Sequence, residues 1–468
     1  LVKEVIGETE SLCPVCLQKI PAKRVSEDER VYLEKTCPDH GDYKVLVWRR
    51  GGKHYLDWGR RSQQAAPPPK RLTDTDKGCP YDCGLCPTHK ANTCSMLIEV
   101  TSRCNLHCPI CFASANETEE PEPDFNMVGK IYETVLDTVG SCTVQLSGGE
   151  PTLRDDLPEI VSLGMKMGLS HILVNTNGIR LAKDKAYLQK LKESGTSAIY
   201  LQFDGVTDKV YHSIRGVNLF DLKVQAIKNC AEVKMGVILV PTIVPRINDH
   251  ELGEIFEFAK KWVPVVKAIH FQPVSYFGRY PKAPKDEDRI TIPDVIDALV
   301  SQSNGQLKIE NFPPHTCQDS HCGFSGLFVL RKDGELFAAT KLANELVSGW
   351  GFMSEAGDAK ARRFMSRHWR FTEEEAGQAH DSNADLGSQP GSSRRALTHS
   401  LAVTCMPFQD VWNIDLQRLQ GCCGHVATAD KRIVPICAFY LTSVCGQRLH
   451  STDWFSLQKG CPDSRGYP

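Results

Sequence analysis

Long apolar runs are missing from this chain. No stretch of eighteen or more apolar residues occurs, so no bilayer-spanning helix is expected. An excess of charge is missing too. With 55 Lys and Arg against 57 Asp and Glu, neither a nucleic-acid surface nor a disordered acidic tail is expected. Residues 1–10 lack the apolar core of a signal peptide. The chain starts on Leu1 rather than Met, as a trimmed or fragmentary start would. At 468 residues, two to four domains are expected.

Cysteine is abundant, with twenty in the chain. Half lie in tight clusters, at 13/16, 79/83/86, 104/108/111 and 422/423. Cysteines two or three residues apart seldom bridge each other but chelate metals well. A secreted disulfide scaffold is excluded by length, and a reducing cytoplasm is the natural setting. Cys13-Pro-Val-Cys16 and Cys37-Pro-Asp-His40 form two knuckles suited to one tetrahedral ion. Zinc and a single rubredoxin-like iron are both open there, because thiolates suit either. Between the knuckles the sequence reads as hairpin strands, with Gly41-Asp42-Tyr43 as a turn. A Pro-rich linker follows at 61–71.

The spacing Cys-x3-Cys-x2-Cys then occurs twice. Cys79, Cys83 and Cys86 have Cys94 nearby, and four thiolates close a [4Fe–4S] cluster. Cys104, Cys108 and Cys111 have no such fourth member. Three thiolates leave one iron open to a ligand. Cys317, Cys322, Cys437 and one of Cys422 and Cys423, with Cys423 taken here, make a third set. Cys405 is an alternative member.

From residue 96 strand and helix patterns alternate. Strands are expected at 96–101, 143–146, 171–175, 197–203, 235–240 and 268–272. Helices are expected at 124–140, 157–169, 182–194, 220–233 and 251–261. Such alternation demands a parallel sheet with crossover helices. Six units suit an open, partial barrel. Chemistry in such folds gathers at the C-terminal strand ends, where the Cys104 run lies.

That run resembles the signature of the radical S-adenosylmethionine (SAM) enzymes, whose open iron chelates SAM. Ser147-Gly148-Gly149-Glu150-Pro151 resembles the motif that contacts the SAM amino group. Asn175 and Asn177 end the third strand. Gln202 and Asp204, at the end of the fourth, offer polar groups to the ribose. Arg215 is expected to pair with the SAM carboxylate as a fork-shaped donor. The cofactor-binding set is thus Gly148, Gly149, Glu150, Asn175, Asn177, Gln202, Asp204 and Arg215.

The order of motifs over nearly the whole chain resembles the tetraether synthase family of radical SAM proteins. The resemblance implies three [4Fe–4S] clusters, one of them for SAM, and one mononuclear iron or zinc. Its cluster ligands would be Cys13, Cys16, Cys37, His40, Cys79, Cys83, Cys86, Cys94, Cys104, Cys108, Cys111, Cys317, Cys322, Cys423 and Cys437. It implies sp3–sp3 coupling of lipid tails, a ferredoxin or flavodoxin as electron donor, and peripheral contact with a membrane. The expected fold is α/β, a partial (βα)6 TIM barrel with added metal domains. A metal-knuckle domain spans 1–60, a linker and auxiliary cluster 61–95, the barrel 96–280, and an auxiliary-cluster domain 281–468 with a mobile segment at 377–395. Methylation of a pterin and peptide maturation are the rival activities. A non-catalytic iron–sulfur electron carrier is the rival outside catalysis, and it would need no Gly148-Gly149-Glu150.

Overall fold

The computed structural model describes residues 3–60, 66–117, 122–315, 319–340, 362, 365–372 and 394–450. Its first unit is a four-stranded antiparallel sheet in chain order, β1 (Lys3–Leu12), β2 (Lys19–Glu27), β3 (Arg30–Cys37) and β4 (Gly41–Arg49). Buried and exposed positions alternate along β2, as a sheet with one wet face requires. The turns after β1 and β3 lie at the same end, because Leu12 faces Lys19 and Cys37 faces Gly41. The second turn is 38–40, and Gly41-Asp42-Tyr43 belong to β4. A short helix, α1 (Gly51–Gly59), carries Tyr55 and Trp58 to join Trp48 in the main core.

The six expected strands form in order: β5 (Ser95–Thr101), β6 (Thr143–Gly148), β7 (His171–Thr176), β8 (Ala198–Gln202), β9 (Gly236–Val240) and, after the two-residue β10 (Thr242–Ile243), β11 (Val266–Pro273). All six pair in parallel with their neighbours. Their apolar runs are buried on both faces, as parallel strands covered by helices must be. The crossover helix α2 (Phe125–Val139) buries Val128, Ile131, Tyr132, Val135 and Val139, one stripe of a 3.6-residue period. Asp124 starts it by accepting the Met127 amide at 2.7 Å, a cap worth about 1 kcal/mol. Next come α3 (Leu157–Met167), α4 (Ile179–Lys183) and α5 (Lys185–Glu193). The single helix expected at 182–194 is therefore two. Asp184 breaks it, because its side chain caps α5 at the Tyr187 amide, 2.9 Å away. Then follow α6 (Asp208–Arg215), unforeseen, α7 (Phe220–Glu232) and α8 (Leu252–Lys261).

The C-terminal strands extend this same sheet rather than building another. β14 (Ser400–Cys405) lies parallel beside β11, and β15 (Gly424–Ala427) parallel beside β5. The parallel run is thus two strands wider than the expected six. Only a five-residue helix, Arg394–Thr398, directly precedes Ser400, too short to show as a helical period in the sequence. Antiparallel strands complete the edges: β12 (Phe324–Leu330), β13 (Leu336–Ala338) and β16 (Ile433–Pro435). Inside the barrel, Leu173, Ala198, Ile238, Ala268 and Ala402 pack with Trp369 into an apolar floor. The mobile segment expected at 377–395 falls largely outside the described residues. Among the described residues no helix is long and apolar enough to cross a membrane.

Candidate active site

Above that floor opens a cavity of about 640 Å³. The loop after β5 brings Cys104, Cys108 and Cys111 to its wall. Cys108 is buried and the other two are half-buried. Two residues that the sequence did not single out hold this loop. The Asn116 amide accepts the Cys104 N–H at 2.8 Å and donates to the Cys104 carbonyl at 3.0 Å. Arg279 donates through Nε to the Cys108 carbonyl at 2.8 Å, and its backbone bridges Cys111 in both directions. Burial pushes the Cys104 thiol up to about 11 and raises Cys108 as well. Three thiols around open space are a donor set that fits a [4Fe–4S] cluster with one free iron.

The turn after β6 lies against this loop. Gly148 has φ +125°, and a Cβ there would stand 2.0 Å from the Thr101 oxygen. A Cβ on Gly149 would stand 2.2 Å from the Arg103 oxygen. Only glycine permits this approach. The Gly149 amide donates to the Thr101 carbonyl at 2.7 Å and the Glu150 amide to the Arg103 carbonyl at 2.8 Å. What the turn can still offer the cavity is carbonyl oxygen, a partner for an ammonium group. The Glu150 carboxylate is not free. It accepts from Thr152 N and Oγ1, Thr176 Oγ1 and Asn177 N, at 3.1, 2.6, 2.6 and 2.6 Å. The carboxylate braces the ends of β6 and β7 and still lines the cavity.

Other expected SAM contacts are also committed to the protein. Asp204 is fully buried and grips Arg215 by a fork at 2.8 and 2.7 Å. Asp204 therefore faces Arg215 rather than a ribose. Arg215 also donates to Thr242 Oγ1 at 3.0 Å and lies beside Cys108. Asn177 Nδ2 donates to Asn105 Oδ1 at 2.7 Å, tying the cysteine loop to β7. Asn175 donates to Gln145 at 3.1 Å. Gln202 accepts from Lys223 Nζ at 3.2 Å. Lys223, on α7, gave no sequence signal, because one Lys on an amphipathic helix looks ordinary. Burial brings its amine down to about 7.

The other cysteines divide differently from expectation. Cys13, Cys16, Cys37 and His40 do come together, with all four ligand atoms within 4.8 Å of one another. Cys13–His40, Cys37–His40 and Cys16–Cys37 are 3.6, 3.4 and 3.9 Å apart. A tetrahedron with bonds of roughly 2.0–2.3 Å has edges of roughly 3.3–3.8 Å, so the four fit one ion. Cys79, Cys83 and Cys86 are buried together, and Cys83 feels Cys79, Cys86 and also Cys422. Cys94, expected as their fourth partner, instead meets Cys423, Sγ to Sγ 2.6 Å. The reason is register. Gly424 pairs with Ser95, so the residues just before β5 and β15 abut. Side chains alternate along an extended chain, which leaves Cys422 as the neighbour of Cys322 and Cys437. Cys422 thus takes the place expected for Cys423. Arg418 donates to Cys322 Sγ at 3.4 Å. Cys405 is buried in the main core on β14. Cys317 lies outside the described residues.

Comparison with known proteins follows this geometry. Residues 5–49 match the HMPTM N-terminal zinc ribbon domain, and residues 98–259 match the radical SAM superfamily. The chain is 37% identical to the 7,8-dihydro-6-hydroxymethylpterin dimethyltransferase of Methanocaldococcus jannaschii, across 92% of this chain and 93% of that one. It is 29% identical to the Fe-coproporphyrin III synthase of Methanosarcina barkeri, across 58% of this chain and 69% of that one. A solved structure of SuiB of Streptococcus suis bound to SAM overlaps 44% of this chain and 46% of its own, at 16% identity and a TM-score of 0.36. A relative matched over nearly its whole length is a pterin dimethyltransferase. This overturns the expectation of lipid-tail coupling and favours the rival activity on a pterin.

Proposed function

From the premise that this chain belongs to the radical SAM superfamily, in the family of the Methanocaldococcus pterin dimethyltransferase, we propose that it methylates a reduced hydroxymethylpterin. The observation that carries the reading is the nearly full-length likeness to that enzyme, 37% identical over 92% of the chain. The cavity supports it. Its size is that of a small-molecule site, and the Cys104 loop, the Gly148-Gly149 turn and a polar barrel interior all line it.

In this reading Cys104, Cys108 and Cys111 hold a [4Fe–4S] cluster. When bound and reduced, that cluster supplies the electron that cleaves SAM to a 5′-deoxyadenosyl radical. The chain's own residues do the rest by position. The carbonyls of the Gly148-Gly149 turn face the ammonium group of SAM. Arg215, locked on Asp204, fixes a positive charge beside Cys108. Glu150 braces the turn, and Asn177 clasps the cysteine loop through Asn105. The N-terminal knuckle holds a structural ion, with zinc favoured by the matched domain. Cys79, Cys83 and Cys86, and Cys322, Cys422 and Cys437, hold auxiliary clusters, and a ferredoxin or flavodoxin supplies electrons.

The test is anaerobic turnover. The reconstituted chain is given reductant, SAM and 7,8-dihydro-6-hydroxymethylpterin, and the products are resolved by mass spectrometry. Methylated pterin is expected together with 5′-deoxyadenosine and with S-adenosylhomocysteine, the product left when a second SAM gives up its sulfonium methyl group. Cleavage of SAM that the pterin neither stimulates nor turns into a methylated product would refute the proposal.

A further inference from the structure

The cavity continues below the cysteines. There the inner faces of the strands present an arc of neutral polar side chains, Gln145, Asn175, Tyr200, His270, Gln272 and Thr404. Parallel barrels usually fill such layers with branched apolar residues. Asn175 on β7 lies directly opposite Tyr200 on β8, and His270 on β11 opposite Thr404 on β14. The Tyr200 and His270 rings are 5.7 Å apart. Order around the wall is therefore Asn175, Tyr200, His270.

The hydrogen bonds fix what each group offers. Thr404 Oγ1 donates to the Ile269 carbonyl at 3.3 Å. Both of its contacts are hydrogen bonds only if it accepts from His270 Nδ1, 2.7 Å away. His270 thus carries its proton on Nδ1 and turns a bare Nε2 to the cavity. Burial keeps this imidazole neutral, with its pKa lowered to about 3. Tyr200 receives the Gln272 amide only at 3.5 Å, and its own O–H remains to donate. Asn175 spends its amide nitrogen on Gln145, which in turn donates to Ser95 at 3.0 Å. Asn175 Oδ1 is buried and has no hydrogen-bond partner. The wall reads acceptor, donor, acceptor.

Charge narrows the ligand further. Glu150 and Arg215 are the charged side chains among the described lining residues; the Glu150 carboxylate is engaged by Thr152, Thr176 and Asn177, and Arg215 is paired with Asp204. A neutral, flat ligand with a donor–acceptor–donor edge fits this wall. A 7,8-dihydropterin has that edge in its 2-amino group, N1 and N8–H. A fully oxidised pterin does not, since its N8 is an acceptor.

We propose that Asn175, Tyr200 and His270 form the pterin-recognition subsite and select the 7,8-dihydro oxidation state, the Tyr200 hydroxyl donating to N1 and the two acceptors taking the 2-amino group and N8–H. Thr404 is a positioning residue that sets the His270 tautomer. This assignment rests on the pterin reading above.

Equilibrium binding to the reconstituted, SAM-loaded chain tests it, without reductant so that the pterin's oxidation state is preserved. The probes are 7,8-dihydro-6-hydroxymethylpterin and its fully oxidised form. The wild type should prefer the dihydro form by about tenfold or more, the cost of facing two buried acceptors together. Asn175→Leu/His270→Phe should erase the preference. Tyr200→Phe should weaken both ligands by about tenfold. Thr404→Val should shrink the preference and Thr404→Ser restore it, which a merely structural role would not do. Thermal unfolding and iron content identify any variant that misfolds, and the wild-type comparison stands without variants. Equal wild-type affinity for the two forms overturns the assignment alone. Binding of neither form by a chain that still cleaves SAM overturns it together with the pterin reading.

Discussion

Cys79-x3-Cys83-x2-Cys86 and Cys104-x3-Cys108-x2-Cys111 have the same spacing and opposite surroundings. The first run is buried throughout, and one further thiol from the C-terminal part of the chain, Cys422, lies within electrostatic reach of it. The second faces a cavity, with Cys104 and Cys111 half-exposed, and a glycine turn too tight for any Cβ lies against it. Spacing sets what the thiols can bind. What surrounds them sets whether anything else can reach the bound group.

Substitutions at the two runs break this comparison most forcefully. Cys104→Ala should take 5′-deoxyadenosine formation to background, because a two-thiol loop cannot hold the open iron. Cys83→Ala should lower iron content while leaving the loop beside the cavity able to bind SAM. Equal loss of SAM binding in both would mean that the runs share one site.

The next largest effect belongs to the wall of the second run. Arg215→Gln leaves the Asp204 carboxylate buried without its cation. Both partners are at least nine-tenths buried, so breaking the pair should cost about 3–5 kcal/mol of stability, read by denaturant unfolding. A cost below about 1 kcal/mol would mean that water reaches Asp204.

Gly148→Ala probes the close approach itself. The added Cβ meets a backbone oxygen at 2.0 Å in a φ region foreign to L side chains. A loss of roughly 2–4 kcal/mol is expected, with weaker SAM binding. The same change at Gly421, whose nearest neighbour to an added Cβ is 3.5 Å away, should be nearly neutral.

Taken per pH unit, the smallest effect is a pH dependence. Lys223 normally titrates near 10.5 and is brought down to about 7 by burial. Between those values the unfolded chain binds a proton that the folded chain does not. Stability should therefore rise with pH from about 7 towards 10.5, by at most about 1.4 kcal/mol per pH unit, and be flat below 7. Lys223→Met should remove that part of the slope. An identical pH–stability curve for wild type and variant would show that the amine stays charged.

The barrel was legible because its strands are short apolar runs between helices with marked ends, such as Asp124 and Gly140 at α2. The close approach at Gly148 was legible because only glycine tolerates it. The partners of the polar side chains were not. Glu150 reads as a ligand for the cofactor, and its motif does not show that Thr152, Thr176 and Asn177 engage the carboxylate. Cys94 reads as the fourth member of its own run, yet its partner Cys423 lies 329 residues away. Tyr200 and His270 read as ordinary strand residues, since facing a cavity is a property of the assembled, curved sheet. Substrate class was illegible for the same reason, and the lipid reading failed there.

The central claim is that the Cys104 loop and the polar barrel interior serve one reaction, methylation of a pterin. The most direct measurement incubates the reconstituted chain anaerobically with SAM and reductant, with and without 7,8-dihydro-6-hydroxymethylpterin, and quantifies 5′-deoxyadenosine and methylated pterin together. The account predicts that the pterin stimulates SAM cleavage and emerges methylated. Cleavage at the same rate with the pterin recovered unchanged would contradict it.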